Sequence, residues 1–295
     1  MQVEQLAYTP PLAAASLIEF LALRAVPGVE EVVGDVYRRV LRVDDATGVI
    51  AIRVSAERSS IELELDAALA PVRERVVAGA RRLVDADADP VAIDAVLRAD
   101  PRLRPLVDAY PGMRVPGAFD GFEIAVRAVL GQQISVAAAR TLASRLAARL
   151  GDPLEPAQGG LAVSFPRAEA IAGVTLDGLG MPASRGATIV GLARAVCDGR
   201  VDLAPAADPE RARAALLALP GIGPWTAAYV AMRAFADRDA FPSSDLVLRQ
   251  VLGRDQPATT RAVEQLSRAW SPWRAYAVVR LWVEASEARL ARGAA

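Results

Sequence analysis

The sequence has no histidine and no lysine, so all 34 basic residues are arginine, and Cys197 is its single cysteine. These zeros exclude Ser-His-Asp and Cys-His catalysis, a zinc ligand set, an intramolecular disulfide and a four-cysteine iron-sulfur cluster. A lysine Schiff base is excluded as well. An enzyme built from this chain would have to work with a carboxylate, a tyrosine or an arginine-supported group. Aromatic residues are sparse at 5%, and aliphatic side chains carry the apolar fraction to 53%. No apolar run approaches the roughly 18 residues of a membrane span, so a soluble globular protein with no membrane partner is expected. The lone cysteine and the lack of a signal peptide suggest a reducing, cytoplasmic compartment. The arginine bias, alongside the wealth of alanine and valine, reads as the mark of a GC-rich genome.

A length of 295 residues suits two domains or one composite domain. The net charge of −1 does not announce a nucleic-acid binder. Residues 1–88 hold 10 arginines against 14 acids, and residues 89–295 hold 24 against 21, giving −4 and +3. Any contact with DNA by the second part must therefore use local patches or backbone amides.

Residues 1–88 read as mixed α and β. Residues 30–43 and 48–54 are β-branched and partly alternating, with a turn at residues 44–48, which predicts a hairpin. Residues 60–65, SIELEL, alternate strictly and predict a third strand, while residues 12–25 and 67–84 carry helical patterns. The acidic, proline-containing run at 85–90 marks a boundary. From residue 90 onward the pattern is helical, with N-caps expected at Ser135, Ser184, Asp208 and Ser271 and left-handed stops at Gly151, Gly199, Gly221 and Gly293. Short loops between these stretches predict a compact all-α unit. The overall class is α+β: a small N-terminal antiparallel-sheet domain with flanking helices over 1–88, then a mainly α region over 89–295.

The most specific motif lies at about residues 214–235. A helix ends near Leu219, Pro220, Gly221, Ile222 and Gly223 form a tight turn, and a second helix opens around Pro224 with Trp225 and Thr226 in its first turn. This is a helix-hairpin-helix pattern. Its glycines permit close backbone approach, and the amides at the second helix's N-terminus favour an anion, so phosphate can be bound without side-chain charge. Twenty residues beyond Trp225, Pro242, Ser243 and Ser244 lead into Asp245 at the start of another apolar helix. Taken alone, that aspartate is also what any N-cap looks like.

The hairpin, the loop and the aspartate at this spacing resemble the helix-hairpin-helix glycosylase superfamily. Blocks at 114–139, 179–189, 219–235 and 270–282 are similar to the AlkA-type 3-methyladenine DNA glycosylases, in that family's order. The resemblance covers nearly the whole chain. It implies that the region 89–295 forms two helical subdomains with a cleft between them, and that the chain is a monofunctional enzyme of base excision repair. Such an enzyme flips an alkylated purine out of double-stranded DNA and hydrolyses its N-glycosidic bond. By the resemblance Asp245 is catalytic, and Trp225, Tyr229, Trp282 and Phe20 line the base pocket. Gly221, Ile222, Gly223 and Thr226 contact DNA, and Gln133 is the wedge that fills the gap left by the flipped base.

Bifunctional relatives carry a lysine where Trp225 stands, so lysine-dependent strand cleavage is not expected. No cofactor is required. The resemblance allows a Na+ or K+ on the backbone carbonyls of Leu217, Leu219 and Ile222. A monomer acting in the cytoplasm at the nucleoid is the default. Two other readings stay open: a non-catalytic helix-hairpin-helix DNA-binding module, and a glycosylase for deaminated or oxidised bases.

Overall fold

The structure is a computed structural model that describes residues 2–253 and 255–293. The chain opens with β1 (Gln2–Ala7), α1 (Ala14–Arg24), β2 (Glu30–Val33), β3 (Val36–Val43), β4 (Ala46–Ser55), β5 (Ser60–Leu65) and α2 (Arg73–Leu83). All pairings in this five-stranded sheet are antiparallel and the strand order is β1-β5-β4-β3-β2. The sheet buries one face under α1 and α2 through Tyr37, Ile50, Ile52, Ile61, Leu63 and Leu65. The strict alternation of β5 places Ile61, Leu63 and Leu65 inward and leaves Glu62 and Glu64 outward.

Two strands depart from the expectation. The stretch 30–43 is broken at Gly34, whose φ of +62° turns the chain and makes β2 and β3 a hairpin of their own. The short polar strand β1 pairs with β5 as an edge, where only Leu6 needs burial.

The remainder consists of α3 (Pro90–Arg98), α4 (Arg104–Ala109), α5 (Gly121–Leu130), α6 (Val136–Leu150), α7 (Ala168–Ala172), α8 (Ala183–Cys197), α9 (Pro209–Leu217), α10 (Pro224–Ala234), α11 (Leu246–Leu252), α12 (Thr260–Ser267) and α13 (Arg274–Gly293), with a small ribbon of β6 (Pro153–Gln158) and β7 (Leu161–Val163). Pro153 and Pro156 argue against a strand in sequence, and the ribbon tolerates them because it is a short, irregular pair. Ser135 and Asp208 cap α6 and α9 with their side chains. Ser184 lies inside α8, which begins one residue earlier after Pro182, and Ser271 precedes α13 by three residues. Gly199 and Gly221 adopt positive φ, whereas Gly151 ends α6 in an extended conformation and Gly293 lies within α13.

The helices enclose two cores. One joins α5, α6, α7 and α8 with Leu216 and Ile222, and the other joins α3, α4, α11, α12 and α13 around Trp270 and Tyr276. Helix α10 belongs to both: Val230 and Ala234 enter the first, and Ala231 and Met232 enter the second. Among the described residues, no helix is long and apolar enough to cross a membrane.

The sheet is tied to α5 by a buried ionic network. Arg39 on β3 donates to Glu123 at 2.6 Å, and Arg127 donates to Glu123 at 2.8 Å and to Glu30 at 2.9 Å. Tyr37 and the Val26 N–H complete the coordination of Glu30 at 2.6 and 2.9 Å. Burial pushes the Glu30 carboxyl up, but the guanidiniums of Arg127 and Arg39 and these two donors outweigh it and hold it below 4.5. A carboxylate whose pKa is depressed on folding contributes stability that is present above its unfolded pKa and lost as pH falls through the folded value. Removing one partner of such a buried network costs about 3–5 kcal/mol. Glu30→Gln is therefore expected to lose about that much stability at pH 7, and to flatten the fall in stability below pH 4.5 relative to the parent. Urea unfolding across pH checks both.

Candidate active site

Helix α9 ends just before Pro220, which has no N–H to continue the ladder. The Leu219 N–H closes on the Leu216 carbonyl at 3.0 Å and the Ile222 N–H on the Leu219 carbonyl at 3.2 Å, drawing the chain into a turn. Gly221 has φ +84°, and a Cβ there would sit 2.1 Å from Thr188 Oγ1, so a side chain is excluded by conformation and by space. Gly223 differs: it is the extended N-cap of α10, and a Cβ would meet nothing within 4 Å. Packing does not demand glycine at 223, and its effect is to leave the first turn of α10 open to close approach by an anion.

Two of the expected DNA contacts need correction. Ile222 is buried in the first helical core and its amide is engaged within the turn. Thr226 is only 1% exposed, and its hydroxyl accepts from Gln132 Nε2 at 3.0 Å. Both side chains build the hairpin from inside. Gly221 is exposed and Gly223 half-buried, so these two positions remain at the surface.

Gln133 is exposed in the turn between α5 and α6 and has φ +57°, a left-handed conformation that costs a non-glycine residue about 1 kcal/mol or more. Its neighbour holds that turn in place. Gln132 Nε2 also donates to the Gly221 carbonyl at 2.9 Å, and Arg185 donates to the Gln132 carbonyl at 2.6 Å. The turn bearing Gln133 and the hairpin are thus fastened to each other.

Asp245 caps α11 and is 8% exposed. Its Oδ1 accepts from the Leu248 N–H at 3.0 Å and from Trp282 Nε1 at 3.4 Å, and its Oδ2 accepts from Trp225 Nε1 at 2.8 Å. Trp225 stacks on Tyr229, one turn further along α10, with centroids 5.3 Å apart and planes at 14°. Tyr229 in turn lies 6.2 Å from Trp282 on α13. Four of the expected site residues, on α10, α13 and the start of α11, therefore form one cluster. All three rings are half-buried, leaving part of each exposed to solvent.

Phe20 requires a correction. It is buried in the core of the sheet domain, and its ring already carries two guanidiniums, with the Cζ of Arg24 at 3.7 Å and that of Arg233 at 4.9 Å from its centroid. It backs the cluster and supports these cations; its ring is not free to stack on a base.

Sequence reasoning missed Arg24, Arg233 and Gln132. A signal existed for the arginines, because Arg24 follows Phe20 and Arg233 follows Tyr229 by four residues, which puts each pair on one helix face. Arg233 is buried and donates to the Tyr229 hydroxyl at 2.8 Å, to the Gly117 carbonyl at 3.2 Å and to the Pro116 carbonyl. Burial pushes the Tyr229 hydroxyl up, but Arg233, Arg24 and Arg127 together pull it below its usual value. The phenol oxygen thus lies in the positive field of three guanidiniums.

The carbonyls of Leu217, Leu219 and Ile222 lie around the hairpin turn, and that of Leu219 also takes the Ile222 N–H. Among the described residues no cluster of three or more metal-ligating side chains occurs. A donor set of backbone oxygens alone matches a weakly held monovalent cation better than a divalent one that takes several carboxylates.

A family model described as the AlkA N-terminal domain matches residues 3–120. The chain is 43% identical over 275 residues to a protein of Mycobacterium tuberculosis named probable bifunctional transcriptional activator/DNA repair enzyme AlkA, covering 92% of this chain and 55% of that protein. It thus spans about half the length of that curated relative. It is also 34% identical over 283 residues to DNA-3-methyladenine glycosylase 2 of Escherichia coli, covering 93% of this chain and 95% of that protein. Among solved structures, a 3-methyladenine DNA glycosylase from Archaeoglobus fulgidus shares the fold with a TM-score of 0.77 at 22% identity, over 97% of this chain and 98% of that one.

The two hairpin glycines should respond differently to substitution. Gly221→Ala is expected to cost about 1–3 kcal/mol from its left-handed conformation, plus the displacement of Thr188. Gly223→Ala should cost no more than about 1 kcal/mol, the penalty for a poorer N-cap. Parallel urea unfolding of the two variants checks the order.

Proposed function

The chain belongs to the AlkA family of DNA-3-methyladenine glycosylases, and from that membership and the site geometry we propose that it releases alkylated purines of the 3-methyladenine and 7-methylguanine class from duplex DNA. The observation that carries this reading is the carboxylate of Asp245, gripped by the indoles of Trp225 and Trp282 beside stacked aromatic rings. The hairpin's second helix offers its N-terminal amides to a backbone phosphate. Gln133 enters the gap as the damaged nucleotide leaves the stack. The flipped base, cationic after alkylation at N3 or N7, rests against the electron-rich rings of Trp225, Tyr229 and Trp282.

Hydrolysis then needs little acid assistance. As the bond from sugar C1′ to the base nitrogen breaks, the bonding pair goes to the base and neutralises it, and a water oxygen bonds to C1′. Asp245 either stabilises the oxocarbenium charge on the sugar or orients the water and takes its proton. The products are the free base and an abasic site. With no lysine in the chain, no lysine Schiff base forms to cut the strand, which supports a monofunctional glycosylase. A Na+ or K+ on the carbonyls of Leu217, Leu219 and Ile222 would brace the hairpin turn and take no part in bond breaking.

Asp245→Asn separates catalysis from fold and binding. Asparagine caps a helix about as well as aspartate, so α11 should persist. Release of 3-methyladenine from methylated duplex DNA should fall by about 10²–10⁴-fold, and duplex affinity by fluorescence anisotropy should be nearly unchanged. Undiminished base release by the variant would reject the mechanism, and absence of release by the parent would leave only a DNA-binding module.

A further inference from the structure

The turn between α5 and α6 presents its residues alternately. Gln133 is exposed, while Ile134 packs against the first helical core and Gln132 turns toward the hairpin. The turn's own backbone holds it weakly. The Gln132 N–H reaches the Val129 carbonyl at 3.3 Å and the Ile134 N–H reaches the Gly131 carbonyl at 3.5 Å, both longer than an ordinary amide hydrogen bond. The left-handed conformation of Gln133 therefore depends on ties from elsewhere in the fold. Arg185, in the first turn of α8, donates to the Gln132 carbonyl at 2.6 Å, and the side-chain amide of Gln132 donates to the Gly221 carbonyl at 2.9 Å and to Thr226 Oγ1 at 3.0 Å. Gly221 offers an oxygen here, so it is the nitrogen of that amide that faces it. The peptide between Gly221 and Ile222 is thereby held at both ends, its carbonyl by Gln132 and its N–H by the Leu219 carbonyl. One side chain thus grips both the hairpin turn and the first turn of α10, and its backbone carries the neighbouring Gln133.

Resting on the glycosylase reading with Gln133 as the wedge, we propose that Gln132 is a positioning residue for base flipping: it fixes the wedge turn to the phosphate-binding end of α10, so that seating the hairpin on DNA and inserting Gln133 are one movement. Gln132 acts through its neighbour and not on the base. A wedge on a free turn has to be ordered at the moment of insertion, whereas a wedge tied to the hairpin is ordered in advance. Unstacking the target nucleotide is costly, and the wedge has to fill the gap before the nucleotide returns to it. The phosphate contact fixes where the strand lies, and the tie fixes where Gln133 stands relative to that contact. Thr226, buried in the first turn of α10, serves DNA binding through this tie, since its hydroxyl is the second acceptor of the Gln132 amide. Arg185 holds the same turn from α8, so a shift of the wedge would have to break bonds on two sides.

The test is a double-mutant cycle between Gln132→Met, which keeps the length of the side chain without its donor, and Gln133→Ala. Two quantities are measured on duplexes containing 7-methylguanine. One is the single-turnover rate of base release at saturating enzyme. The other is the flipping equilibrium, read from the fluorescence of a 2-aminopurine beside the lesion with Asp245→Asn added to every variant so that the base is retained. Gln132→Met is expected to lower both by about ten- to a hundredfold, the loss that follows from misplacing a group by about 1 Å. Affinity for undamaged duplex should be nearly unchanged. Once Gln133→Ala has removed the wedge, adding Gln132→Met should cause no further loss, a coupling that a merely structural contact would not show. Losses that multiply in the double variant, or a flipping equilibrium untouched by Gln132→Met, would overturn the proposal. Should Gln132→Met not fold by tryptophan fluorescence, Arg185→Met, which frees the same turn from its other side, takes its place in the cycle and decides. If Gln133→Ala flips and releases the base like the parent, the wedge and the role of Gln132 fall together and the glycosylase reading stands. A parent that releases no methylated base removes both.

Discussion

Helix α10 must satisfy two hydrophobic cores at once, and the rest of the molecule is arranged around that constraint. Val230 and Ala234 on one side and Ala231 and Met232 on another are buried in different cores, so the helix can neither roll nor slide without exposing apolar surface in one of them. Its first turn is correspondingly fixed. That turn carries the glycine cap and Trp225, and the next carries Tyr229, so the open N-terminal amides and the stacked rings are positioned by the same packing. Tyr229 packs against both cores and so lies at the seam between them.

Charge is handled locally and not by net balance. A chain with a net charge of −1 has no large positive excess to attract DNA from a distance, and Arg39, Arg127 and Arg233 are turned inward to carbonyls and carboxylates. Arg39 and Arg127 join the sheet to α5 through Glu30 and Glu123, and this joint carries Phe20 and Arg24 on α1 up to the aromatic cluster. Arg127 also donates to the Arg24 carbonyl at 2.5 Å, which ties the end of α1 directly to the network. The N-terminal domain is therefore a supporting wall of the site, joined to the helical part by ion pairs that run in both directions.

Much of the site was legible, for specific reasons. The turn at 220–223 followed by Trp225 and Thr226 has a local meaning, since glycine and proline restrict the backbone wherever they occur. Asp245 was legible as a cap because capping is a local hydrogen bond, which the Leu248 N–H makes. Phe20, Ile222 and Thr226 were misread because side-chain exposure depends on partners distant in sequence: Phe20 on Arg233, and Thr226 on Gln132. The short ribbon β6–β7 and edge strand β1 are not legible in the sequence because neither shows the periodicity of a buried face.

The sequence by itself determined the chemistry that is possible. Composition alone excludes histidine, lysine and metal-cluster mechanisms, and local pattern places the hairpin, the aspartate and the α+β division. What only the tertiary structure decided is which groups meet. Asp245 lies twenty residues from Trp225 and thirty-seven from Trp282, yet both indoles hold its carboxylate. Arg24 reaches the same cluster from the other end of the chain and lies against Tyr229 and Trp282 there. Backbone conformation and capping act over a few residues and can be read in order along the chain. Burial, ion pairing and stacking act between surfaces that only folding brings together.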